Sequence, residues 1–434
     1  MIDRPTFTVL AQNPQNTKQL SNASFYLLVA GGIAGLLNMS QPVPFGKGYE
    51  MVQLANFLAS HGQFANPFGA GLTGPTGAYP PVYPFFLALI IRIFKVEPLI
   101  LLAVSAANMI VNALIASWLP RISMIFFKSI WPGTAAGILW LAIAQLMPDW
   151  DASYTLALLL VFCIYSAATI DRPKNIWLAL LAGLLGAVLL LLNTSSVLVF
   201  FPWVLFLILN SATDRRRAVI YALTVLLVVS MAGFTWMMRN RMSVGVFGIK
   251  TNLGMALYVS NNDCAQASLI ADEKNNCHQQ HHPNTNPEEA ALVRKMGEGS
   301  YDRLRETDAK KWIAEHPGRF MHLTFERFVE FWFPPINEHP WKMSVLWLAT
   351  LLSVPGLLMM AKKRLAVTIY VACVLLIYPI MYYIVVSDVR YRYPILWLTL
   401  LPAGYFLHWI FANFLHGINH RAESDQPSAE MPLP

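Results

Sequence analysis

The 434-residue sequence is 56% hydrophobic and only 13% charged, with 31 Lys and Arg against 24 Asp and Glu. So little charge cannot cover the surface of a water-soluble domain of this length. That excludes a cytosolic enzyme, and it directs the net charge of +7 towards loops at a membrane surface rather than towards nucleic acid.

Residues 1–21 are polar and contain no short apolar stretch followed by a small-residue cleavage site. They read as a cytoplasmic tail, and the apolar run that follows as a retained helix rather than a signal peptide. Predicted membrane spans are 22–40, 98–119, 132–148, 152–170, 175–192, 194–210, 217–238, 342–360, 365–386 and 393–414. Runs of this length cross hydrocarbon as helices, because a helix satisfies its own backbone there. The segment 82–94 is shorter than a full span, and prolines crowd its start.

Loop charge decides how that segment lies. With a cytoplasmic N-terminus and 82–94 along the membrane surface, Arg121, Lys128, Arg172, Lys174, the Arg215-Arg216-Arg217 run and Lys362-Lys363-Arg364 all fall inside. Glu50, Asp149, Asp151 and the long segment 239–341 then fall outside, which is a positive-inside pattern. If 82–94 crossed, every later basic cluster would face outward. The expected architecture is an all-α polytopic protein of the cell inner membrane with about ten transmembrane helices. Its parts are an N-terminal transmembrane module over 22–238 with an outer loop at 41–97, a periplasmic insert over 239–341, C-terminal helices over 342–414, and a disordered cytoplasmic tail over 415–434.

Three outer segments can therefore share one aqueous surface. In the first, Glu50 precedes an amphipathic stretch with Met51, Leu54, Ala55 and Leu58 on one side, suited to the interface plane. A Gly/Pro-rich linker joins it to 82–94. Glu50 reads either as a solvated carboxylate favoured by a helix start or as a general base. In the short loop MPDWDASY, Asp151 directly precedes an apolar helix and reads as a cap or as a site residue. Asp149 has no capping position and is a candidate for the site.

Arg239 and Arg241 lie where a helix leaves the membrane, and Arg390 and Arg392 lie at another outer boundary. Interfacial snorkelling accounts for such arginines, and so does binding of a phosphate by a planar donor fork. Cys264 and Cys277 are thirteen positions apart in the insert, and read as a disulfide or as two unpaired thiols. A zinc site of these cysteines with His278, His281 and His282 lacks structural-zinc spacing. From Pro287 to Trp332 the apolar residues recur at helical spacing, broken at His316-Pro317-Gly318, and FMHLTFERFVEFWF reads as an aromatic membrane-interface segment.

The stretches GYEMVQLANFLASHGQFANPFG, TGPTGAYPPVYPFFLALIIRIF, WMMRN, IKTNLGMALYVSNND, the long insert segment ending in FVEFW, and RYRYPI resemble bacterial membrane-embedded sugar transferases that use polyprenyl-phosphate-linked sugars. These are relatives of the protein O-mannosyltransferases and of the lipid A aminoarabinose transferase. The resemblance runs from residue 22 to about 410. It implies a GT-C fold, Glu50 as the first-loop acid, and Asp149 or Asp151 as the second. Many relatives carry an Asp ahead of the acid-aromatic pair, where this chain has Lys47 and Gly48. It further implies that Arg239 and Asn240 form the family's pair at the helix exit, and that Arg390 and Arg392 lie near the lipid phosphate.

The expected partners are a polyprenyl-phosphate-linked sugar donor, the lipid bilayer, and an acceptor hydroxyl on a lipid, glycan or protein. The expected reaction inverts the anomeric carbon and needs no cofactor, since two or three acids give little support to a divalent metal. A polytopic transporter or flippase, and a non-catalytic envelope-assembly factor, are the competing classes. The absence of a convincing internal repeat and of mid-span charge weighs against the first.

Overall fold

The computed structural model describes residues 14–39, 49–144, 150–170, 175–211, 215–336 and 339–424. Among them the regular structure is helical, with no strand beyond isolated bridges such as Ala65 with Pro75. The first group of helices is α1 (Pro14–Met39), α2 (Glu50–His61), α3 (Val82–Phe94), α4 (Glu97–Phe127), α5 (Trp131–Ile143), α6 (Ala152–Thr169), α7 (Ile176–Leu192), α8 (Val197–Asn210) and α9 (Arg215–Val244). Six follow between α9 and the next long apolar helix: α10 (Leu253–Ser260), α11 (Leu269–Lys274), α12 (Cys277–His281), α13 (Pro287–Met296), α14 (Glu298–Glu315) and α15 (Pro317–Trp332). The chain closes with α16 (Pro340–Lys362), α17 (Val367–Ile377), α18 (Ile380–Ile384), a 3-10 turn at Val389–Arg392, and α19 (Tyr393–Ser424).

Seven helical segments are long and apolar enough to cross a membrane, and they coincide with seven of the ten predicted spans. The other three predicted spans fall on shorter apolar helices, Trp131–Ile143, Ile176–Leu192 and Thr194–Asn210. The segment 82–94 forms the 13-residue helix α3. At 1.5 Å per residue it is about 20 Å long, short of the roughly 30 Å of hydrocarbon.

Aromatic side chains fill the main core. Trp140, Trp203 and Trp397 are fully buried among Phe162, Phe200 and Tyr370, which joins α5, α6, α8, α17 and α19 into one bundle. A second cluster departs from the sequence expectation for α2. Met51, Leu54, Ala55 and Leu58 do not face lipid; they pack on Tyr83, Leu87, Ala88 and Ile90 of α3 and on Val104 of α4. The stripe that suited an interface suits another helix equally, and α3 supplies the nearer apolar partner. On α15, by contrast, Met321, Phe325, Phe328 and Val329 stay exposed along one stripe, while Leu323, Arg327 and Phe331 are buried.

Glycine sets the closest helix contacts. A Cβ at Gly356 on α16 would run into the backbone carbonyl of Pro402 on α19, and one at Gly404 into that of Pro132 on α5. Backbone cannot yield as a flexible side chain does. Gly356→Ala is therefore expected to destabilise the bundle by about 1–3 kcal/mol. Gly32→Ala, where nothing lies within 4 Å, should not. Thermal unfolding of the two variants in detergent checks the contrast, and equal melting would refute the packing account.

Candidate active site at the insert end of the bundle

Glu50 is the first residue of α2 and is buried, 8% exposed. A charge there is favoured by the helix dipole, but removal from water dominates and raises its carboxyl above the ordinary carboxylate range. A backbone N–H, the Arg390 guanidinium and His278 oppose that shift without cancelling it. Its Oε1 lies 3.5 Å from Nε2 of His282.

Asp151 occupies the N-cap position of α6 but makes no side-chain cap bond. Its Oδ2 accepts instead from Asn193 Nδ2 at 2.8 Å and from Thr155 Oγ1 at 3.1 Å. The capping role open to it by position is thus not the one its carboxylate takes. Burial raises its pKa, and Asn193, Thr155 and Lys250 pull it back.

Two cations meet these acids. Lys250, just beyond α9, keeps an accessible side chain, yet protein crowds its ammonium enough to lower its pKa, with Asp151 acting the other way. Its Nζ stands 5.9 Å from the Tyr79 ring centroid. Arg390 comes from the 3-10 turn ahead of α19. Its guanidinium stacks on Trp150 at 3.6 Å from the ring centroid, and Nη1 lies 3.6 Å from Asp388 Oδ2. Asp388 also accepts from the Arg390 backbone N–H at 2.9 Å, which fixes the turn. Among the described residues, the buried Nε of Arg390 has no hydrogen-bond partner; those of Arg327 and Arg392 share this state. Tyr79 lies within electrostatic range of Glu50, Arg390 and Tyr391, and burial raises its phenol well above its ordinary value.

Glu50, Asp151 and Arg390, singled out from the sequence, thus come together, joined by Tyr79, Trp150, Asn193, Lys250, His278 and His282. Asp149 lies outside the described residues. The remaining candidates are bonded into the framework. Arg239 donates to the carbonyl of Thr76, to that of Phe64 at 3.1 Å and to Asn240 Oδ1 at 3.0 Å, flanked by the Phe64 and Trp236 rings. Asn240 donates to the Gly248 carbonyl at 2.7 Å and so fixes the backbone that leads to Lys250. Arg392 is buried and donates to the Trp332 carbonyl and to Thr350 Oγ1, each at 2.8 Å.

Glu298 on α14 reinforces this frame. It accepts from Gly77 N at 2.8 Å, from Thr76 Oγ1 at 2.5 Å and from Thr251 Oγ1, which draws the loop after α2 and the irregular stretch at 250–251 onto α14. Cys264 and Cys277 form a disulfide with S–S 2.06 Å. The approach of His281 to both sulfurs is therefore not a thiolate metal set, because the sulfurs are bonded to each other. At the acids, each described carboxylate faces a side-chain cation, Asp151 towards Lys250 and Glu50 towards Arg390. A hard divalent cation wants several oxygens converging on one gap, and among the described residues the acids form no such group.

No family model matches the chain, and no curated protein matches it. Solved structures do. The archaeal oligosaccharyltransferase AglB from Archaeoglobus fulgidus, in complex with an inhibitory peptide and a dolichol-phosphate, superposes with TM-score 0.50 at 12% identity, over 95% of this chain and 52% of that one. The same organism's oligosaccharyltransferase in its complex with Zn and sulfate gives 0.52 at 10% identity over 89% and 49%, and its apo form 0.52 at 12% over 95% and 53%. The chain spans about half the length of these proteins. It is a polytopic membrane protein with the GT-C fold. Within that fold, the solved likeness is to an oligosaccharyltransferase, not specifically to the O-mannosyltransferase and aminoarabinose-transferase branch that the motifs resemble.

Proposed function

We propose that the chain is a membrane glycosyltransferase that takes a sugar from a polyprenyl-phosphate-linked donor at the end of the bundle carrying the insert, on the outer face of the membrane. The observation that carries this reading is that Glu50, Asp151, Lys250 and Arg390, drawn from four separate parts of the chain, lie within electrostatic range of one another as a linked set, Glu50 with Arg390, Arg390 with Lys250 and Lys250 with Asp151. The fold shared with an oligosaccharyltransferase supports it, and that enzyme's complex with dolichol-phosphate supports a lipid phosphate as the ligand class.

In this reading Arg390 and Lys250 hold the donor phosphate, while Arg239, Asn240 and Arg392 position the frame. Glu50 is the base. Asp151 is already committed to Asn193, Thr155 and Lys250, and serves to orient the lysine. The acceptor oxygen forms a bond to the anomeric carbon, its proton passes to the Glu50 carboxylate, and the bond from that carbon to phosphate oxygen breaks. Polyprenyl phosphate leaves with the electron pair, its charge met by Arg390 and Lys250. Attack from the face opposite the phosphate inverts the anomeric centre; no carboxylate pair is assigned to a covalent glycosyl-enzyme.

The test is incubation of the purified protein in nanodiscs with synthetic polyprenyl-phosphate sugars and a membrane extract as acceptor source, following release of free polyprenyl phosphate. Release that needs both acceptor and protein is expected. Donor movement across liposomes without cleavage would replace this reading with the flippase.

A further inference from the structure

The insert delivers two histidines that sequence spacing offered only as weak metal candidates. His278 and His282 lie on and just beyond α12, with rings stacked at 4.6 Å between centroids. We propose that His282 is a positioning residue that holds the Glu50 carboxylate through its Nε2–H, and that the Cys264–Cys277 disulfide keeps α12 where this contact can form. This deepens the transferase reading of the same site and rests on it for its catalytic meaning.

The tautomer follows from the neighbours. Nδ1 of His282 accepts from the backbone N–H of Asn284 at 3.1 Å. A neutral imidazole that accepts at Nδ1 carries its proton at Nε2. That nitrogen lies 3.5 Å from Glu50 Oε1, at the outer limit of a hydrogen bond. Burial lowers the pKa of His282 to about 4, and burial together with His282 lowers that of His278 to about 4 as well. Both rings are neutral near pH 7, and His282 donates without adding a full charge.

Other contacts hold the ring in place. Phe68 meets it edge-on at 5.9 Å, and Asn284 Oδ1 accepts from Gly69 N at 2.7 Å, tying the end of α12 to the loop after α2. The charged and titratable groups around the pair are Glu50 from α2, His278 from α12, Arg390 from the 3-10 turn and Tyr79 from the loop ahead of α3. Cys277 is the first residue of α12 and fully buried, so the disulfide anchors α12 at its start. A five-residue helix has little stability of its own. Its placement depends on such a tether.

The experiment is an infrared titration of the Glu50 carboxyl in nanodiscs, assigned by difference from Glu50→Gln. It is run on wild type, His282→Ala, His282→Gln and the Cys264→Ser/Cys277→Ser pair, with the pH profile of donor cleavage measured beside it. Loss of a donor to the charged form raises the midpoint. His282→Ala is expected to move it up by about one pH unit, with the acid limb of cleavage moving equally. The amide N–H of His282→Gln should restore most of it. The serine pair should reproduce the alanine shift while unfolding cooperatively. An unchanged midpoint in His282→Ala, or no recovery in His282→Gln, overturns the positioning role; an unchanged midpoint in the serine pair overturns the tether. Because the carboxyl titration needs no turnover, wild type that cleaves no donor would sink the transferase reading and leave this result standing.

Discussion

Glu50→Gln is expected to lower donor cleavage by about 10²–10⁴-fold, the usual range for removal of a general base. The fold should survive the change, because Gln is isosteric and the site is built by backbone and neighbouring side chains. Stability should not fall. The carboxyl's pKa is raised in the folded protein, so the folded state favours the neutral form and loses stability as pH climbs from the unfolded value through the folded one. A neutral amide removes that penalty at pH 7, against a dipole term of only about 0.3–1 kcal/mol at the start of α2. The sign for activity is opposite. The base works when ionised, so wild-type cleavage should rise with pH through a midpoint above the ordinary carboxylate range. Measuring cleavage and melting together separates the two effects. A variant that melts at or above wild type yet barely cleaves donor is the expected result, and full cleavage by Glu50→Gln would move the base to another acid.

Asp151→Asn provides the comparison. Its carboxylate is bonded to Asn193 and Thr155 and its pKa is likewise raised by burial, so the loss of cleavage should be smaller and the melting temperature should again not fall.

The membrane class and its helical fold were legible in the sequence because hydropathy and loop charge report directly on the solvent each segment meets. Seven of the spans emerge as long apolar helices, and the breaks at His316 and after His61 fall where glycine, proline and polar residues put them. The site was legible only in part. Glu50 and Asp151 stood out as isolated acids in apolar surroundings. Lys250 did not, since one lysine in a polar stretch gives no signal, and its approach to Asp151 depends on how Asn240 pins the chain at Gly248. His282 meets Glu50 across more than two hundred positions of sequence through a disulfide-anchored turn that no local pattern encodes. The arginines show the same limit. Arg239, Arg390 and Arg392 look alike in the sequence, but three-dimensional partners decide that Arg390 stacks on Trp150 within electrostatic range of Glu50 while the others donate to backbone carbonyls.

That distinction makes the second large prediction. Arg390→Ala should reduce kcat/KM for a polyprenyl-phosphate donor by about 10²–10³-fold, the scale for loss of one donor to developing charge in a water-poor site. Lysine is not an equivalent replacement. It restores the charge but not the planar fork, nor the stacking on Trp150 at 3.6 Å, so Arg390→Lys should recover only part of the loss. Arg239→Lys and Arg392→Lys act on a different quantity. Their guanidinium groups satisfy the carbonyls of Phe64 and Trp332, and a buried acceptor left without its donor costs about 1–3 kcal/mol. These variants should melt lower while each folded molecule retains most of its turnover. Donor kinetics and melting temperatures for the four variants decide the matter. If Arg392→Lys lost turnover per folded molecule as severely as Arg390→Ala, the phosphate would sit closer to α16 than to Trp150, and the cluster at Glu50 would lose its claim to the leaving group.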